Sequence, residues 1–207
     1  ASLNIGEKSL TKPRAHRFFC ITIRKDQIIF MTNENVWDCQ LILKYNNYTY
    51  LFNVQNHNKI KNKVLKEIDK TPSTKTQGVY KTDWKTDTSL KRTYWENYVK
   101  SLADNCIDIL KNDLFKDAKQ KTWHHNHWFH QYEKNYGYGW HTHGESNFSG
   151  IYYVGLADKK YKTEFKGYDL PIEEGNILIF PSFLLHRSPL INNKTKKTIV
   201  SFNFSFL

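Results

Sequence analysis

The chain has 207 residues, 15% of them aromatic and 39% hydrophobic, enough for one domain with a real core and short for two. Nine glycines and five prolines exclude a collagen-like or low-complexity chain. Three isolated thiols, Cys20, Cys39 and Cys106, form no CxxC pair and exclude a disulfide framework or thiolate zinc site, and no apolar run approaches a membrane span. The net charge of +11 is compatible with an anionic partner such as nucleic acid. However, the basic residues are scattered, and the Lys-, Asn-, Ile- and Tyr-rich mix is what an AT-biased genome produces, so a nucleic-acid partner is not favoured. Unpaired thiols and an N-terminus without a hydrophobic signal core predict a reducing compartment, the cytoplasm, or the host cytoplasm for a viral protein.

In chain order, short β-rich runs are predicted at Phe18 to Ile23, Gln27 to Met31, Trp37 to Leu43 and Tyr48 to Val54, with Asn-rich breaks between them. Ile60, Val64, Leu65 and Ile68 recur at helical spacing and predict an amphipathic helix from about Asn58 to Asp69. Thr71 to Thr88 is polar and reads as a loop. A longer helix is predicted from Ser89 to Lys111, with Trp95, Tyr98, Val99, Leu102, Cys106, Ile109 and Leu110 on one stripe that faces a core. After Thr122 the chain turns to strands, at 128–133, 140–143, 150–155, 163–166, 176–180, 186–189 and 198–206. The order predicts a mainly β protein with supporting helices, a sandwich or barrel. We divide its single domain, 1–207, into a β-rich extension of no assigned role (1–45), helical support (48–121) and a β core (122–207).

His141 and His143, two apart on an extended segment, point to the same side, and His186 arrives from a distant strand. Three such imidazoles can hold a metal and leave other positions open, and by themselves they suit iron, zinc, copper or nickel. His124, His125 and His127 read as loop and strand-edge residues. His130 shares a face with Trp128 and Tyr132, directed at a pocket. Gly137 and Gly139, around Tyr136 and Tyr138, read as a turn between two strands.

Taken together, His141 and His143, Ser149 to Tyr153, Gly175, Phe180 to His186, and Lys197 to Asn203 resemble the iron(II)- and 2-oxoglutarate-dependent oxygenases. The similarity is to a branch common in marine bacteria and their viruses that carries HxH, SGxYY, FPS and a distal His in this order. It covers Tyr48 to the end of the sequence. The resemblance implies a double-stranded β-helix core (jelly-roll, cupin-like) and a dioxygenase that oxidises a protein or small-molecule prime substrate while turning 2-oxoglutarate and O2 into succinate and CO2.

It also implies roles for individual residues. His141, His143 and His186 take the metal. His143 stands where the commoner HxD pattern has a carboxylate, and a competing set would use Glu145 instead. The prolyl hydroxylases place a strand tyrosine shortly before the first ligand, and Tyr132 stands nine residues before His141. Their IYYLN strand is matched by Ile151 to Val154, so Tyr153 is carried over to the far carboxylate of 2-oxoglutarate. Lys197 is its basic partner, with Lys194 and Lys196 as alternatives. Alternation from Lys197 puts Ile199, Ser201 and Asn203 on the inward face, where Ser201 can assist the lysine. Lys in place of Arg keeps the charge but loses the bidentate fork.

Two other readings stay open at this point. One is a non-enzymatic cupin-like protein that uses the same histidines for structural zinc and its basic surface for nucleic acid. The other is a nucleic-acid demethylase, ranked lower because no base-recognition motif accompanies the histidines.

Overall fold

Alternation along the late strands sorts their side chains onto two faces. Tyr152, Val154, Ile177, Ile179, Val200, Phe202 and Phe204 take one, and Ile151, Tyr153, Leu178, Phe180 and Ile199 take the other. The structure, a computed structural model, describes residues 21–22, 28–29, 38–45, 48–87, 89–116 and 119–207.

The two sets occupy opposite faces of an eight-stranded antiparallel sheet. Its members in chain order are β3 (Cys39–Tyr45), β4 (Thr49–Val54), β5 (Thr74–Thr76), β6 (Val79–Thr82), β7 (Thr122–Tyr132), β9 (Phe148–Leu156), β11 (Asn176–Pro181) and β13 (Lys197–Phe206). Across the sheet the order is β3-β4-β11-β9-β13-β7-β6-β5. A second sheet, β10-β12-β8, is built from β8 (Tyr138–His141), β10 (Glu164–Phe165) and β12 (His186–Ser188). It closes over the inner face, where Phe165 and His186 meet the Phe180 ring at 5.0 and 4.7 Å.

The outer face is covered by α1 (His57–Lys70) and α2 (Lys100–Phe115). Ile60, Val64 and Ile68 from α1 and Leu102, Cys106 and Leu110 from α2 enter the same core as Tyr152, Val200 and Phe202, as their helical spacing predicts. No helix among the described residues is long and apolar enough to cross a membrane.

Several elements differ from the sequence-based expectation. The polar stretch 71–88 is not all loop: β5 and β6 form a hairpin around Gly78 at φ +79°, and β6 extends the sheet by pairing with β7. The second helix begins at Thr93 rather than Ser89 and opens with a π-helical turn at Trp95–Val99. Its start is tied to the end of β6 by Asp83, a buried carboxylate that accepts from Arg92 Nε at 2.7 Å, Tyr94 Oη at 2.8 Å and the Phe129 amide at 2.8 Å. The helix continues to Phe115, past Lys111.

β7 starts at Thr122, so the His124–His127 run lies in a strand, not a loop. Each histidine there has a local partner. His124 meets Asp104 at 3.0 Å, His125 meets Ser205 Oγ at 2.8 Å, and His127 stacks on Trp95 with ring centroids 4.3 Å apart. At the N-terminal end, the runs expected at 18–23 and 27–31 appear as β1 (Ile21–Thr22) paired with β2 (Ile28–Ile29). Cys20, Trp37 and the remaining residues of those runs lie outside the described residues.

Gly150 of the SGxYY run has a packing reason. A Cβ there would lie 2.1 to 2.6 Å from atoms of the Phe202 ring, which is fully buried. Gly150→Ala is therefore expected to cost about 1–3 kcal/mol through overpacking, seen as a lower midpoint in denaturant with an unchanged slope. An unchanged midpoint would contradict this contact.

Candidate metal centre

Antiparallel pairing of β8 with β12 sets His141 directly opposite His186. His143 follows two residues later, held in place as its backbone N–H donates to the Ser182 carbonyl at 2.8 Å. One ligand atom from each of the three rings lies within 4.8 Å of the others, and the ring centroids are 4.2 to 5.3 Å apart. Among the described residues this is the one group of at least three histidine, cysteine or acidic side chains so arranged. Glu145 is exposed and outside it.

The protonation of the rings suits metal binding. His141 Nδ1 lies 2.8 Å from the Gly139 carbonyl and His186 Nδ1 lies 2.8 Å from the Leu184 carbonyl. A carbonyl only accepts, so each Nδ1 carries the hydrogen and each Nε2 presents a lone pair. Burial lowers all three pKa values, to about 4 for His143 and about 3 for His186. The rings are thus neutral at physiological pH, the state in which imidazole ligates. The donor set fits a divalent transition metal.

Beside the triad, between the two sheets, is a small cavity of about 40 Å³. Tyr132, Ser201 and Asn203 line it, as do His130 and Trp128 from the inward face of β7. Asn203 Oδ1 accepts from Ser149 Oγ at 2.8 Å. Trp128 Nε1 and His130 Nε2 are buried and find no hydrogen-bond partner among the described residues.

Tyr153 and Lys197 stand behind the cavity wall. Tyr153 Oη donates to Thr163 Oγ1 at 2.6 Å and Lys197 Nζ donates to Ser188 Oγ at 2.9 Å, and it is Thr163 and Ser188 that face the cavity. Lys197 is 1% exposed, with Nζ 5.4 Å from the Tyr132 ring centre and 5.8 Å from that of Tyr153. Burial pushes its pKa down to about 7, with Glu164 acting in the opposite direction. Lys194 and Lys196 are exposed.

Thr163 and Ser188 were not singled out from the sequence. The available signal for Ser188 was alternation, since it lies two residues from His186 on the same strand.

No protein-family model matches this sequence, and no curated protein sequence matches it. Solved structures with a similar fold include an oxidoreductase of the 2OG-Fe(II) oxygenase family from Burkholderia pseudomallei, 12% identical, over 76% of this chain and 84% of that one, with a TM-score of 0.56. The viral collagen prolyl hydroxylase of Paramecium Bursaria Chlorella virus-1, solved with 2OG, is 10% identical over 77% and 96%, with a TM-score of 0.57. A prolyl hydroxylase from Trichoplax adhaerens, in complex with a hypoxia inducible factor oxygen degradation domain peptide fragment, is 14% identical over 77% and 84%, with a TM-score of 0.53. At these identities the likeness is one of fold: the two antiparallel sheets and their supporting helices form the double-stranded β-helix, or jelly roll, of these oxygenases.

Proposed function

We propose that the chain is an iron(II)- and 2-oxoglutarate-dependent dioxygenase of the hydroxylase type, acting on a protein or small-molecule prime substrate. We place it in the HxH, SGxYY, FPS and distal-His branch of marine bacteria and their viruses. The observation that carries the reading is the pairing of two features around one cavity: a triad of neutral histidines beside it and a buried lysine behind its wall.

When bound, iron(II) with 2-oxoglutarate supplies activation of O2 and abstraction of a hydrogen atom from the substrate, with release of succinate and CO2. His141, His143 and His186 hold the metal through Nε2 lone pairs of the first and last and one ring nitrogen of His143, and they transfer no protons. Lys197 neutralises the far carboxylate of the cosubstrate, assisted by the hydroxyls of Ser188, Thr163 and Tyr153. Tyr132, Ser201 and Asn203 shape the polar wall along it. A dianion is what such a site is suited to, since the metal has no carboxylate ligand and the lysine has no carboxylate within ion-pairing distance among the described residues. A purely structural zinc site would close all four positions with protein ligands, whereas this one has three and adjoins a cavity.

Anaerobic addition of iron(II) and then 2-oxoglutarate is expected to give a weak, broad charge-transfer band in the visible that is missing in His141→Ala. Purified protein that binds neither would end this reading.

A further inference from the structure

Resting on the oxygenase reading above, we propose that His130 is a further cosubstrate-binding residue, donating from Nε2 to the carboxylate of 2-oxoglutarate nearer the histidine triad. The ring is 8% exposed and lines the cavity, and its Nε2 has no partner among the described residues. A polar atom left so is costly unless a ligand satisfies it.

Which nitrogen carries the hydrogen follows from the Tyr132 phenol, which is hydrogen bonded to His130 Nδ1. A buried phenol needs an acceptor for its hydrogen, and His130 Nδ1 lies 2.9 Å from Tyr132 Oη, so the phenol donates and Nδ1 accepts. A neutral ring whose Nδ1 accepts carries its hydrogen on Nε2, and burial keeps this ring neutral.

The register places this donor at the right depth. Lys197 pairs with Tyr132 and Ile199 with His130, so His130 lies one two-residue step from the lysine row, about 7 Å along the strand. The next step brings Trp128, whose ring is 6.0 Å from that of His143, so the direction of travel is toward the triad. A five-carbon dicarboxylate held at Lys197 by one end reaches the His130 row with the other.

The test uses the full chain loaded with zinc(II), so that no turnover intervenes, titrated calorimetrically with 2-oxoglutarate and with oxalate, which keeps the chelating end and lacks the far carboxylate. His130→Leu is expected to weaken both ligands by roughly tenfold to a hundredfold. His130→Gln, which keeps an N–H near the Nε2 position, should recover most of the loss, and Lys197→Ala should weaken 2-oxoglutarate alone. Long-range ¹H–¹⁵N correlation spectra of the wild type should show the Nε2–H tautomer at His130, and Tyr132→Phe should shift it toward Nδ1–H. Equal affinities in wild type and His130→Leu, or an Nδ1–H tautomer in the wild type, overturn this proposal and leave the oxygenase reading standing. A wild type that binds neither ligand overturns the oxygenase reading, and this proposal with it. The wild-type spectra and the Gln variant keep the test independent of whether the Leu variant folds.

Discussion

His141→Ala is expected to lower metal affinity by more than roughly a hundredfold and to abolish turnover, since even a residue that only orients a ligand is worth tenfold to a hundredfold. His141 is partly exposed and its Nδ1 bond is to a carbonyl that water can replace, so thermal stability should change little. His186→Ala should give the same loss of metal together with a clear loss of stability, because that ring is 3% exposed and packed against Phe165 and Phe180. Glu145→Gln should leave metal affinity unaltered. Metal retained in His141→Ala but lost in Glu145→Gln would transfer the site to the competing His143 and Glu145 set.

Lys197 carries the second large effect, and it has a pH signature. Lys197→Ala should leave metal affinity nearly unchanged and weaken 2-oxoglutarate by about tenfold to a hundredfold, the worth of a charge-assisted contact. Tyr153→Phe should lose less in the same direction. In the free protein burial holds the lysine pKa near 7, so a dianion binds the protonated form directly below that pH and must draw a proton from solvent above it. Apparent affinity is therefore expected to fall by roughly tenfold per pH unit above 7. Calorimetry in buffers of different ionisation heat should detect the proton uptake at pH 8 and its absence in Lys197→Ala.

The same depressed pKa acts on folding with a definite sign. The unfolded lysine titrates near 10.4, so between pH 7 and that value the unfolded chain binds more protons, and this residue's contribution to stability rises with pH. Lys197→Met should accordingly raise the unfolding midpoint most at pH 6 to 7 and less at pH 9. A midpoint unaffected at pH 6 would mean that the buried charge is better compensated than Ser188 and the two tyrosine rings suggest.

The histidine cluster and the inward set on β13 were legible because both follow from a period of two: His141 with His143, and Lys197 with Ile199, Ser201 and Asn203. Other parts were not legible, for identifiable reasons. In β6 only Val79 and Thr82 are buried, so the strand carries too little apolar alternation to stand out from the polar stretch around it. The first half of β7 is satisfied by Asp104, Ser205 and Trp95 rather than by an apolar core, and it therefore read as loop. Gly150 owes its place to the Phe202 ring, some fifty residues away. Ser188 and Thr163 were hidden because a hydroxyl has no pattern of its own. Only the fold reveals that they stand between the cavity and the two residues carried over from the prolyl hydroxylases.

β13 lies between β9 and β7, pairing along nearly its whole length with both. These neighbours precede it by many residues, so during folding they stay apart until a distant segment fills the slot, the kind of nonlocal closure that is slow. One strand then completes two structures at once, since Val200, Phe202 and Phe204 enter the helix-backed core while Lys197, Ser201 and Asn203 finish the inner chamber. Hydrogen exchange should accordingly report β7, β9 and β13 opening as one cooperative unit. A partly folded chain lacking β13 has no lysine behind its chamber, so the proposed capacity for a dianion would appear only with the finished sheet.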